Sequence, residues 1–234
     1  MNLAVDIGNT RMKWALFDGD SIVRMSEAGC VLPDVHVGTA IVCATGKSDE
    51  ALLGINADNV MMLSSATRLP ITIDYATPES LGPDRIAAAC GAYRLCGNRG
   101  CVVVDAGTCI TVDFIDGNGV YHGGAILPGI EIKFRSLHTF TEKLPLLTPS
   151  DYECRIVMGQ STRDSMLAGV ITATQYAVEG FVSHYRRLLP DVCVLLTGGA
   201  ANYIWDEGDL TEVGGKREPN LVMIGLNEIM KENE

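Results

Sequence analysis

The sequence is short of positive charge and lacks the glycine signatures of the commonest nucleotide-binding folds. Eighteen Lys and Arg stand against 29 Asp and Glu, leaving a net charge of −11 and a pI near 4.8. A surface of that sign repels a phosphate backbone, so nucleic-acid binding is not expected. No segment reads G-x-x-x-x-G-K-[ST] and none reads G-x-G-x-x-G, which weakens the P-loop and dinucleotide readings. No apolar run approaches the roughly 20 residues that cross a bilayer, so no membrane partner is expected. Asp6 interrupts the first apolar run and no cleavage-like site follows, which argues against a signal peptide. The eight cysteines include no C-x-x-C pair and mostly lie in apolar runs such as Ile41-Val42-Cys43-Ala44. They read as reduced core residues, and the expected location is the cytoplasm.

What is present suits one large domain or two small ones: 234 residues, 47% hydrophobic and 20% charged. That is enough apolar material for a core without a metal or disulfide staple. The chain also repeats itself. Residues 3–20 read LAVDIGNTRMKWALFDGD and residues 102–119 read VVVDAGTCITVDFIDGNG. In each copy an apolar strand ends in Asp, a Gly-bearing turn follows, and a second strand closes at Asp-Gly. The interval between the two Asp residues is twelve in the first copy (6 to 18) and eleven in the second (105 to 116). Each copy predicts a hairpin and a second turn leading to a third strand. Two matches about a hundred residues apart favour a duplication, with halves at 1–98 and 99–234.

Between the copies, Ile41–Ala44, Val60–Leu63 and Ile71–Tyr75 read as strands, with a short helix near 48–56. Residues 78–97 read as a helix opening at Ser80-Leu81-Gly82-Pro83, and 137–149 as an irregular segment. A long helical stretch at 160–189 carries candidate breaks at Gly169 or Gly180. Val192–Leu196 is a buried strand running into Thr197-Gly198-Gly199-Ala200, and 221–231 is a closing helix. Strands and helices alternate in both halves, so the class is α/β with a mixed sheet in each.

A Gly-bearing turn after a strand lets backbone N–H groups converge on a phosphate, because no Cβ obstructs them. Asn9, Thr10 and Thr108 add side-chain donors, and Lys13 adds a point charge. Asp6 and Asp105 are strand-end carboxylates that could hold Mg²⁺, directly or through water, against a triphosphate. Asp and Thr are also ordinary turn formers, and the pair of sites carries the phosphate reading more than either alone. The Gly198-Gly199 turn could seat a flat nucleoside or a phosphate, or could simply be a tight connection. At Gly82-Pro83-Asp84-Arg85, Asp84 suits the positive end of a helix. It also suits a proton acceptor for a substrate hydroxyl, with Arg85 or the helix amides holding an anion.

Taken in order, these motifs resemble type III pantothenate kinases. They are Asp6-x-Gly8-Asn9-Thr10, Gly82-Pro83-Asp84-Arg85, Asp105-Ala106-Gly107-Thr108, Gly123-Gly124-Ala125-Ile126-Leu127-Pro128-Gly129, Leu144-Pro145 and Thr197-Gly198-Gly199-Ala200. Cys109 and Glu142-Lys143 depart from the usual pattern without touching a motif residue. The resemblance implies a duplicated ribonuclease-H-like (actin-like ATPase) fold, with two mixed sheets, flanking helices and an ATP cleft between them. It implies a homodimer that phosphorylates the primary hydroxyl of pantothenate with ATP, the first step toward coenzyme A. Asp6, Ile7, Gly8, Asn9, Thr10, Arg11, Met12, Lys13 and Thr108 would bind ATP. Tyr75, Gly82, Pro83, Asp84, Arg85 and Thr162 would bind pantothenate, with Asp84 as proton acceptor. Asp105 would hold a monovalent cation, K⁺ or NH₄⁺. Three other readings stand beside this one: a sugar or acetate kinase of the same fold, a nucleotide-driven switch, and a non-catalytic regulatory relative.

Overall fold

The computed structural model describes residues 1–8, 12–26, 31–44 and 54–234. The chain divides into two compact units: Met1–Gly100 with Ile115–Gly123 and Asn220–Glu234, and Cys101–Phe114 with Gly124–Pro219.

The first unit is built on a sheet of order β3-β2-β1-β4-β5. Its strands are β1 (Asn2–Ile7), β2 (Met12–Asp18), β3 (Ser21–Met25), β4 (Val37–Ala44) and β5 (Ala57–Met62). β1 runs antiparallel to β2 and parallel to β4. The two-residue period sorts the side chains onto two faces. Leu3, Val5, Ile7, Trp14, Leu16 and Val42 form one buried cluster. The opposite face carries Ala4, Ala15 and Ile41, all fully buried. Against the sheet pack α1 (Pro83–Leu95) and the C-terminal helix Leu221–Glu232. These two helices meet through glycine: a Cβ on Gly91 would lie 2.6 Å from the Leu221 carbonyl oxygen and 2.9 Å from the Gly225 nitrogen. Only a residue without a side chain permits that approach.

The second unit repeats the strand order. Its strands are β7 (Cys101–Ala106), β8 (Cys109–Ile115), β9 (Val120–Pro128), β10 (Cys193–Thr197) and β11 (Gly215–Arg217), arranged β9-β8-β7-β10-β11. The third, second, first, fourth and fifth strands of each set are therefore neighbours in the same sequence. β10 runs parallel to β7, as β4 does to β1. A two-residue connection between β7 and β8 permits only an antiparallel pair. The start of β9, within the first unit, pairs in parallel with the two-residue β6 (Thr72–Ile73).

Helices α2 (Ile130–Thr139), α3 (Thr162–Leu167), α4 (Ala173–Leu188) and α5 (Glu207–Glu212) belong to the second unit, and Leu221–Glu232 becomes α6. The core of this unit includes Val102, Val104, Ile110, Phe134, Ile171, Leu196 and Trp205. The long helical stretch is interrupted at Ala168–Thr172 by a π-helical segment that contains Gly169, while Gly180 stays within α4. Two expectations are corrected, one by α2 and one by the thiols. Residues 130–139 are helical, so only the part of 137–149 beyond Thr139 is irregular. Cys43, Cys90 and Cys101 are buried thiols in no disulfide, whereas Cys96 and Cys193 are disulfide-bonded. The expected helix near 48–56 falls largely outside the described residues.

Candidate active site

In the first unit the site is assembled by register. Asp6 is paired with Lys13 across the β1–β2 ladder and with Cys43 across the β1–β4 ladder. All three fall in one row, on the face that carries Ala4, Ala15 and Ile41. The N-terminus of α1 reaches this row: Pro83 is its first residue, and Asp84 stands in its first turn. Asp84 Oδ1 accepts the backbone N–H of Arg85 at 2.9 Å. A Cβ on Gly82 would stand 2.5 Å from that oxygen, so glycine leaves room for the carboxylate.

The pKa of the Asp6 carboxyl is raised to about 6. Burial is the largest cause and the neighbouring Asp84 charge the second; Lys13 and a hydrogen bond from the Cys43 thiol act the other way. Burial and the two carboxylates push the Cys43 thiol well up, so it stays protonated and donates to Asp6. Asp6 Oδ1 is buried and has no hydrogen-bond partner among the described residues. A buried carboxylate oxygen left unpaired beside a second carboxylate is costly unless a cation completes it. The donor set suits Mg²⁺, which takes one or two carboxylates and fills its remaining positions with water and phosphate oxygens. Among the described residues no group of three or more His, Cys, Asp or Glu could hold a metal by itself.

Tyr75 lies half-buried in this unit, with its ring 6.2 Å from that of Tyr121 at 59°. Arg85 is buried, at 8% exposure. Lys13 is exposed, and Ile7, Gly8 and Met12 stand at or next to the facing ends of β1 and β2. Asn9, Thr10 and Arg11 lie outside the described residues.

In the second unit Asp105 lies near the end of β7 and is paired with Thr197 at the end of β10. This mirrors the Asp6–Cys43 pair, since both are strand-end neighbours on parallel first and fourth strands. The Gly198 backbone has φ +92°, and a Cβ there would lie 2.5 Å from Asp105 Oδ1 and from the Ala106 carbonyl oxygen. Glycine is required on both counts. The Ala200 N–H donates to the Ala106 carbonyl at 2.8 Å, holding the glycine turn beside the half-buried Asp105. Gly199 has open space above its Cα. The exposed Thr108 sits in the hairpin turn, where its carbonyl accepts the Gly129 N–H at 3.0 Å.

Thr162 opens α3, capped by Ser161, whose hydroxyl accepts the Asp164 N–H at 3.1 Å. It lines a cavity of about 610 Å³ within the second unit, with Leu137, Leu144, Gln160, Ser165 and Met166. Sequence reasoning missed Cys43 as a neighbour of Asp6. Its place beside that carboxylate is set by the parallel pairing of β1 and β4, which no local pattern announces.

Known proteins resemble this chain along its length. A family model described as type III pantothenate kinase matches residues 35–184. A protein of Cytophaga hutchinsonii named type III pantothenate kinase is 38% identical, with all of both chains covered. Among solved structures, a Campylobacter jejuni protein named for the Baf family of transcriptional activators superposes with a TM-score of 0.64 at 22% identity, covering 99% of this chain and 98% of that one. The activator of 2-hydroxyisocaproyl-CoA dehydratase from Clostridium difficile, solved with ADPNP, gives 0.52 at 12% identity, covering 99% and 96%. At those identities the likeness shows the fold alone, which is the actin-like ATPase and sugar-kinase fold. By family match and by full-length identity, this chain belongs to the type III pantothenate kinase family.

Proposed function

We propose that this protein transfers the γ-phosphoryl group of ATP to the primary hydroxyl of pantothenate, giving 4′-phosphopantothenate for coenzyme A synthesis. The observation that carries the reading is the Asp6–Asp84 pair, with one buried Asp6 oxygen unpartnered and Asp84 at the start of a helix. Two carboxylates with different surroundings divide two tasks. Asp6, with its open oxygen, holds Mg²⁺, directly or through water; the ion when bound neutralises charge on the phosphates. Asp84 takes the proton of the substrate hydroxyl as the phosphoryl group arrives. A weak base is adequate, because phosphoryl transfer needs orientation more than proton abstraction.

Residues 6–13 and Thr108 bind ATP in this reading, through turn amides, hydroxyls and the Lys13 charge. Tyr75, Gly82, Pro83, Arg85 and Thr162 bind pantothenate, with Arg85 drawn to its carboxylate. Asp105 holds K⁺ or NH₄⁺ beside the Ala106 backbone. The two copies, 1–98 and 99–234, each bring one strand–turn phosphate element. The protein works in the cytoplasm as a homodimer, without nucleic-acid or membrane partners. Exposed apolar side chains near Thr162 in sequence, Val157 at 69% and Met158 at 82%, support a partner on that side of the second unit. No helix of the described residues is long and apolar enough to cross a membrane.

The test is ADP release by purified protein with ATP, Mg²⁺ and K⁺, comparing pantothenate with simple sugars and acetate. Turnover confined to pantothenate is expected. Turnover on a sugar or acetate alone would replace the substrate assignment, and no ADP release with any acceptor would remove the kinase reading.

A further inference from the structure

Tyr75 stands just past the end of a very short ladder. β6 contributes Thr72 N–H to the Gly119 carbonyl, and Asp74 N–H follows to the Tyr121 carbonyl, both at 2.9 Å. Strand pairing stops at Ile73. Two features carry the attachment onward. His122 Nδ1 lies 3.3 Å from Asp74 Oδ2, and its Nε2 lies 3.1 Å from Asp116 Oδ2. Asp116 is itself anchored, since its Oδ1 accepts the N–H groups of Asn118 at 2.8 Å and Val120 at 3.0 Å. The imidazole thus ties residue 74 to a turn already fixed by its own hydrogen bonds. One ring nitrogen faces each carboxylate, so the imidazole spans Asp74 and Asp116. The second feature is Gly123, at φ +88°: a Cβ there would lie 3.0 Å from Tyr75 Cε2 and 3.1 Å from Cδ2. The Tyr75 ring therefore rests on bare backbone, one residue along from His122.

We propose that His122 is a positioning residue for Tyr75: its bridge between Asp74 and Asp116 fixes where the Tyr75 ring stands on Gly123, and so sets affinity for the hydroxy-acid substrate. This rests on the assignment of Tyr75 to the substrate site made above. The bridge is too exposed to contribute much to overall stability, with side-chain exposures of 39% for His122 and 72% for Asp74. Its effect is on place rather than on folding. Asp74, not Asp116, is the informative partner to alter, because Asp116 also holds the turn.

The experiment is steady-state kinetics and thermal melts on His122→Ala, His122→Gln, Asp74→Ala, Tyr75→Ala and the His122→Ala/Tyr75→Ala pair. His122→Ala and Asp74→Ala should each raise KM for pantothenate by about threefold to tenfold, the range of one or two lost hydrogen bonds. Their kcat and KM for ATP should stay within about twofold, the signature of lost substrate binding alone. His122→Gln, which keeps a donor, should fall between wild type and His122→Ala. In the Tyr75→Ala background, His122→Ala should add nothing, because the two act through one contact. If Tyr75→Ala raises KM but His122→Ala does not, the positioning role is overturned while the substrate site stands. An equal His122→Ala effect with and without Tyr75 would make His122 merely structural. An unchanged KM in Tyr75→Ala would remove Tyr75 from the substrate site and this inference with it.

Discussion

At the scale of single residues, Asp6 and Asp84 make opposite demands on the apo protein and on the working enzyme. Burial and the Asp84 charge lift the Asp6 carboxyl to about 6, from an ordinary value of 3.8. The native state therefore binds more protons than the unfolded chain between about pH 4 and 6, and stability from this group is lost as pH rises through that window. At pH 7, without Mg²⁺ and ATP, Asp6→Asn should be more stable than wild type, by up to about 3 kcal/mol, and should have lost the slope in that window. Urea unfolding at pH 4.5 and 7 measures both; a wild type equally stable at the two values, relative to Asp6→Asn, would contradict the assignment. The same substitution should abolish metal-dependent turnover. Asp84→Asn tests the other carboxylate. A helix-end role alone predicts a loss under about 1 kcal/mol and near-normal turnover. Proton acceptance predicts a folded enzyme whose kcat falls by about 10²–10⁴-fold, with substrate binding retained. Retention of more than about a tenth of kcat would exclude Asp84 as base.

At the scale of elements, α1 and α6 illustrate how small residues act by what they omit. α1 includes Ala87, Ala88, Ala89, Cys90, Gly91 and Ala92, all buried. It has no strongly polar stripe because it is covered on the sheet side and on the α6 side. A Cβ on Gly225 would overlap the Ala87 carbonyl, so Gly225→Ala should destabilise by about 1–3 kcal/mol through overpacking. Gly180, inside α4 with open space around it, should respond oppositely. Gly180→Ala should stabilise by about 0.5–1 kcal/mol through helix propensity. Chemical denaturation of both variants checks the contrast, and a neutral Gly225→Ala would show that the helix pair can part at little cost. α2 shows the reverse problem for sequence reading. Its stretch IEIKFRSLHT carries β-branched residues, follows directly on β9, and begins at Gly129 without a side-chain cap bond. No local start signal separates it from the irregular segment after it.

At the scale of the whole molecule, the shared strand order of the two units carries the duplication into three dimensions. The Asp6–Cys43 and Asp105–Thr197 pairs occupy matching places on first and fourth strands. If the second of these positions serves a monovalent cation, activity in Na⁺ or Tris buffer should be low and recover with K⁺ or NH₄⁺. Asp105→Asn should blunt that recovery while leaving the Mg²⁺ requirement, and equal rates in all buffers would remove the cation role. The proposed assembly predicts a solution mass near twice 25.1 kDa by light scattering. An active monomer at assay concentration would sink the dimer.

The strand–turn elements, the helix opening at Pro83 and the duplication were legible in the linear sequence, because turns, caps and periodicity are set by neighbours a few residues apart. The Asp6, Asp84 and Asp105 positions were legible for the same reason, each standing at the end of a recognisable element. What the sequence could not state was which of these groups act on one another. Asp6 and Asp84 are 78 positions apart, and only the register of β1 with β2 and β4, with α1 packed over that row, makes one carboxylate feel the other. The Cys43 thiol reads as one more core residue until parallel pairing sets it beside Asp6. His122 likewise carries no motif, and its link to Tyr75 exists because β6 and β9 lie side by side. Local interactions decide the elements; the pairing of distant strands decides their chemistry, since charge, burial and hydrogen bonding depend on distance in space rather than along the chain.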